Sequence, residues 1–189
     1  DNPKYWDKNK KDSNVWVSTS GLGVDKVGLN NTVHYGSDSG FADVKVKAIM
    51  KSKGGLVWFG TEGRGVYIYR DGKFEFPSFN KQLGSRWIKG IKEDSKGQVW
   101  IVTSGGGVLN VDENSLEIRS KYKIEQGLKS NRVLASCIDV KDNLWFSYHG
   151  GGLGCIMDSV VLNFDINQLD LLFDGLAKKL DIEKINLSS

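Results

Sequence analysis

Two cysteines and two histidines in 189 residues leave little material for a metal centre or a disulfide framework. Cys137 and Cys155 form no Cys-x-x-Cys pair and read as small buried apolar residues. His34 and His149 lie far apart, and neither has a second ligand at metal-binding spacing. The carboxylates are scattered through turn-like stretches, where Asp commonly serves the backbone. No catalytic constellation, metal site or cofactor motif emerges. No apolar run reaches the roughly 18 residues that a membrane-spanning helix needs, so this segment is expected to make no membrane contact. The net charge is only +3 and the lysines are dispersed, which argues against a nucleic-acid partner. There is no signal-peptide pattern, and the chain opens on Asp1 without a methionine, as a trimmed, mature or excised product would.

Proline is equally scarce, at two residues, whereas glycine reaches 23. With aromatic residues at 11%, that balance fits tight turns between short strands and not disorder.

The dominant feature is an internal repeat. Trp16, Trp58, Trp100 and Trp145 stand in similar surroundings at spacings of 42, 42 and 45 residues. An aliphatic residue precedes each: Val15, Val57, Val99 and Leu144. Glycine follows five residues later (Gly21, Gly63, Gly105, Gly150) and again at seven (Gly23, Gly65, Gly107, Gly152). An aliphatic residue comes next each time: Val24, Val66, Val108 and Leu153. No gaps are needed.

Each unit reads as four short antiparallel strands. Strand a opens on Val46, Ile88 or Val133, twelve residues before the tryptophan, and a polar turn separates it from the tryptophan strand b. Strand c follows the glycines, and a variable strand d closes the unit, as in KFEFPSF or LEIRSKY. Alternation over short runs, punctuated by Gly, Asp and Asn, is the mark of half-buried strands. Four-stranded units of this length are propeller blades. A lone blade cannot bury both faces, so a large aromatic on a middle strand fills the wedge against its neighbour. The tryptophans and glycines are therefore scaffold. The fold class is all-β, a propeller of about four blades or a segment of a larger one, over residues 1–164.

The run from Ile88 to Val108, with Glu93-Asp94, Gly97, Val99-Trp100-Ile101, Thr103 and Gly105-Gly106-Gly107, resembles the two-component regulator propeller repeat. So does the lead-in Gly127-Leu128-Lys129-Ser130-Asn131-Arg132-Val133. The resemblance covers about residues 10 to 157 and departs at Ser147-Tyr148, where the other repeats have residues such as Gly60-Thr61. It implies an extracytoplasmic (periplasmic or extracellular) sensor domain of a hybrid histidine kinase, often glycan-responsive, with the output domain elsewhere. It also implies other blades of the parent propeller as partners, and a homodimer formed through the parent receptor.

Residues 165–189 break the pattern. Leu169, Leu172, Phe173, Leu176 and Leu180 are spaced as on a helix. Asn186-Leu187-Ser188-Ser189 then resembles the lead-in to a further blade. The expectation is a short C-terminal helical insertion and a chain that stops inside a larger propeller.

With four antiparallel strands per blade, the b–c turns and the d-to-a connections emerge on one face. Their non-repeating residues are the candidate ligand site. These are Glu62, Arg64, Tyr148 and His149 on the turns, and Arg86, Trp87, Asn131 and Arg132 on the lead-ins. Trp87 and Tyr148 offer surfaces for stacking on sugar rings, and the arginines offer paired donors. The expected function is ligand sensing, with an oligosaccharide or other small ligand, and not catalysis. The alternatives are a propeller enzyme, such as a lyase or a glycoside-processing enzyme, and a protein-interaction scaffold.

Overall fold

The computed structural model describes residues 14–19, 22–39, 41 and 45–165. These form one three-stranded and three four-stranded antiparallel sheets, each ordered along the chain without crossovers. Blade 1 holds β1 (Val15–Ser18), β2 (Val24–Val27) and β3 (Thr32–Tyr35). Blade 2 holds β4 (Val46–Lys51), β5 (Val57–Thr61), β6 (Val66–Arg70) and β7 (Lys73–Glu75). Blade 3 runs from β8 (Ile88–Glu93) through β9 (Gln98–Thr103) and β10 (Gly107–Asp112) to β11 (Ile118–Tyr122). Blade 4 comprises β12 (Val133–Ile138), β13 (Leu144–Tyr148), β14 (Leu153–Met157) and β15 (Val160–Phe164). Each repeat tryptophan sits on the b strand, as its spacing predicts. Blade 1 shows strands b, c and d. The residues that would supply its strand a, and those of the predicted C-terminal helix from 166 onward, lie outside the described residues.

Alternation sorts each blade into two faces. In blade 2, Trp58 pairs with Ile68, and both are buried against Ile88, Ile91, Val99 and Ile101 of blade 3. The opposite face of blade 2, with Val57 and Phe59, packs on Val24 and Phe41 from the blade 1 side. Trp100 and Val102 repeat the pattern against Val133, Leu144 and Phe146 of blade 4. Trp58 is 0% exposed and Trp100 8%, so the repeat tryptophan is the wedge between sheets. Trp16 plays this part at the first interface, edge-on to Phe59 and Tyr69 at ring distances of 5.1 and 4.8 Å.

Two expectations need correction here. The closing segment of blade 2 is not strand through Phe79. Pro77 has no amide to donate to a ladder, and β7 stops at Glu75 before a 3-10 turn over Ser78–Gln82. Phe79 is nevertheless buried against Trp58, and the Asn80 side chain takes over the pairing, bonding both the amide and the carbonyl of Val66 at 2.8 and 2.9 Å. The second correction concerns the cysteines. Cys155 is buried, with its thiol pushed up to about 11 by burial, but Cys137 is exposed. Both flank Trp145 on the blade 4 face turned away from blade 3. Among the described residues no further blade covers that face.

Candidate ligand-binding rim

The b–c turns are built by their glycines. Gly63 and Gly65 have φ of 98° and 85°, and Gly105 and Gly107 have 116° and 78°. In this left-handed backbone both amides of a Gly-x-Gly pair point at the next blade. Gly63 and Gly65 donate to the Arg86 carbonyl at 3.1 and 3.0 Å, while Gly105 and Gly107 both donate to that of Asn131 at 2.9 Å. The residue before each pair bonds its own blade's lead-in instead. The Glu62 amide donates to the Lys45 carbonyl (2.8 Å), Ser104 to Trp87 (2.8 Å) and His149 to Arg132 (2.9 Å). Turn and lead-in thus alternate along one face, each pinned to the next by backbone hydrogen bonds. The side chains borne on this rim are held on a rigid frame, although the segments that carry them are loops.

The threonine three residues after the tryptophan stiffens the same turn. Thr61 Oγ1 donates to the Gly65 carbonyl at 2.7 Å and accepts from the Arg64 amide at 3.2 Å. Thr103 does likewise with Gly107 and Gly106. In blade 4 this position is Tyr148, and its fate corrects the sequence reading. Tyr148 is buried beside Phe146, its hydroxyl donates to Asn163 Oδ1 at 2.6 Å, and it accepts from the Lys129 amide at 3.2 Å. Burial raises the pKa of its phenol. It offers no ring face to a sugar. Asn131 is also committed to scaffold: its carbonyl takes the two glycine amides and its side-chain oxygen accepts from Ile124 N at 3.0 Å.

The structure leaves six candidates on the rim. Arg64, Arg86, Trp87, Arg132 and His149 are exposed, and Glu62 is partly buried in an ion pair with Lys47 at 3.6 Å. Trp87 is 49% exposed and bridges to Glu62 across the blade 2–blade 3 boundary. Its indole nitrogen lies 3.7 Å from where a Cβ on Gly63 would stand, so the glycine makes room for the ring. An aromatic surface with three arginines along one pinned rim can stack on a ring and bind hydroxyl or carboxylate oxygens. Among the described residues no group of three or more His, Cys, Asp or Glu side chains is arranged to hold a metal, and no helix is long and apolar enough to cross a membrane.

Four wedge-packed sheets in chain order match solved structures of the same architecture. The extracellular domain of a hybrid two-component system from B. thetaiotaomicron superposes with a TM-score of 0.69 at 22% identity, over 84% of this chain and 22% of that one. This fold is a β-propeller. A second B. thetaiotaomicron extracellular domain, from a one-component system, gives a TM-score of 0.70 at 19% identity, over 85% of this chain and 25% of that one. Virginiamycin B lyase from Staphylococcus aureus gives 0.64 at 18% identity, over 83% of this chain and 53% of the lyase. The chain therefore spans a quarter or less of the two extracellular domains and about half of the lyase. At these identities the likeness is one of fold. No family model matches the chain, and no curated protein matches its sequence.

Proposed function

We propose that this propeller segment is the ligand-sensing part of an extracytoplasmic receptor of the two-component type, and that its rim takes an oligosaccharide. The repeat motif and the hybrid two-component neighbour support the receptor class, and both extracellular neighbours support the periplasmic or extracellular location. The single observation that carries the ligand reading is Trp87. Trp58 and Trp100 are spent on blade packing, whereas Trp87 stands half exposed on the same hydrogen-bonded rim as Arg64, Arg86 and Arg132. Stacking of aromatic rings on sugar faces, with guanidinium donors for the oxygens, is the chemistry such a surface supports.

The lyase neighbour raises a catalytic reading, which needs an acid–base pair brought together. His34 bonds Asp25 on blade 1 at 2.6 Å, while His149 stands on the blade 4 rim. No observation favours catalysis over sensing.

The test is a thermal-shift screen of neutral and acidic oligosaccharides against the wild-type chain and Trp87→Ala. Ligand present at 100 times its Kd stabilises by about 2.7 kcal/mol, a readily measured shift. At least one oligosaccharide is expected to raise the melting temperature of the wild type and to leave Trp87→Ala unmoved. Failure of every oligosaccharide, together with hydrolase or lyase turnover, overturns the reading.

A further inference from the structure

On the face opposite the rim, where the a–b and c–d turns emerge, blades 1 and 2 part to leave a cavity of about 740 Å³. Its walls follow from strand register. On blade 1, Trp16 pairs with Lys26; on blade 2, Lys51 pairs with Val57, and Val57 with Tyr69. The cavity lies between these two rows, with Arg70 and the turn residues Asp71 and Asn114 at its edge.

The rows at the other two interfaces are different. The position of Lys26, opposite the wedge tryptophan, is Ile68 in blade 2 and Asn110 in blade 3. The row that corresponds to Lys51–Val57–Tyr69 is Glu93–Val99–Val111 in blade 3 and Ile138–Leu144–Ile156 in blade 4, with its valines, leucine and final isoleucine buried. Of the three interfaces among the described residues, the first alone places a lysine in both facing rows.

Two of the three cations there, Lys26 and Lys51, have no carboxylate partner among the described residues. Lys26 Nζ lies over the rings of Trp16 and Tyr69, 5.7 and 5.3 Å from their centroids, a contact that leaves its charge intact. Arg70 Nε is buried without a hydrogen bond and forms a loose ion pair with Glu75 at 3.8 Å. Two carboxylates also line the cavity, the exposed Asp71 and the buried Glu113, the latter accepting from the Ser52 hydroxyl and keeping its charge.

We propose that this cavity is a second ligand site, independent of the rim, for an anionic ring compound of about disaccharide size. The volume lies within the usual range for small-molecule sites, roughly 300–1,000 Å³. Lys26 and Lys51 take the carboxylate with Arg70 beside them, Trp16 and Tyr69 take the ring, and Asn114 and Asp71 meet its polar substituents. A sugar acid and an aromatic carboxylate share this chemistry.

Calorimetric titration of the intact chain with digalacturonate, with 4-phenylbenzoate and with the uncharged counterpart of each tests the site. At least one carboxylate is expected to bind about tenfold more tightly than its neutral counterpart, a difference of about 1.4 kcal/mol, and to weaken as salt is raised. Which one binds identifies the source. Lys51→Glu, at an exposed position, and Arg70→Met are each expected to cost at least that factor, while Trp87→Ala leaves the affinity unchanged. Equal binding of charged and neutral compounds, no binding at millimolar concentration, or indifference to both variants overturns the proposal. Loss in Trp87→Ala alone assigns the ligand to the rim and also overturns it.

Discussion

The indole nitrogen of Trp100 donates to Asp94 Oδ2 at 3.1 Å, six residues upstream. The other carboxylate oxygen of Asp94 accepts from the amides of Lys96 and Gln98 at 3.0 and 2.9 Å. One side chain therefore closes the a–b turn and fixes the wedge tryptophan that the turn precedes. Blade 4 repeats the arrangement, with Asp139 accepting from Trp145 Nε1 at 2.8 Å and from the amides of Lys141 and Asn143 at 2.8 and 2.9 Å. Blade 2 has Ser52 in this place, and Trp58 Nε1 is buried without a partner.

Asp94→Ala removes three hydrogen bonds to a buried carboxylate and strands the Trp100 indole. A loss of about 2–3 kcal/mol is expected, measured as a lower urea midpoint. Asp94→Asn keeps an oxygen for part of the network and should lose less. Equal stability of Asp94→Ala and wild type would contradict the turn-and-wedge role.

Asn110 gives a prediction of opposite sign. It is 1% exposed, pairs with Trp100, and neither amide atom has a hydrogen-bond partner within the protein. The corresponding residue of blade 2 is the fully buried Ile68. Asn110→Ile removes a buried polar group and adds apolar packing, so it should stabilise by about 1 kcal/mol or more. A destabilised variant would show that the amide is satisfied by bound water.

Acid should unfold the protein through specific aspartates. The carboxyl of Asp112 is held well below the usual range by Arg119 and that of Asp139 by Asn143 and the Trp145 indole, while that of Asp142 is lowered by Ser95. A carboxyl lowered on folding contributes stability that is fully present above its unfolded pKa, about 4, and is lost as the pH falls through its folded value. Melting temperature should be nearly level with respect to these groups above about pH 5 and decline below it. Asp139→Asn should flatten that decline. A decline of unchanged steepness in Asp139→Asn would remove this carboxylate from the account.

Much of the fold is legible because blade repetition writes itself into the chain. A tryptophan and two glycines in fixed register give the b strand, the b–c turn and the start of strand c. What escapes the sequence depends on neighbours distant along the chain. Tyr148 replaces a turn threonine and reads as an exposed ring, yet Asn163 of β15 and the Lys129 amide draw its hydroxyl inward. The early end of β7 is written in Pro77, but the burial of Phe79 beyond it depends on Trp58. Lys26 and Lys51 look like ordinary solvated lysines until strand register sets their rows across one gap. Trp87, by contrast, stands out in the sequence as a tryptophan without the repeat, and the structure places it on the rim.

The most direct measurement of the sensing account is a tryptophan-fluorescence titration with the oligosaccharide that gives the largest thermal shift. Trp87 is the one exposed tryptophan among the described residues. Ligand stacking should blue-shift the wild-type emission saturably, and Trp87→Phe should abolish the spectral change while retaining a weakened affinity by calorimetry. An unchanged shift in Trp87→Phe, at unchanged affinity, would place the ligand elsewhere and contradict the rim as the sensing surface.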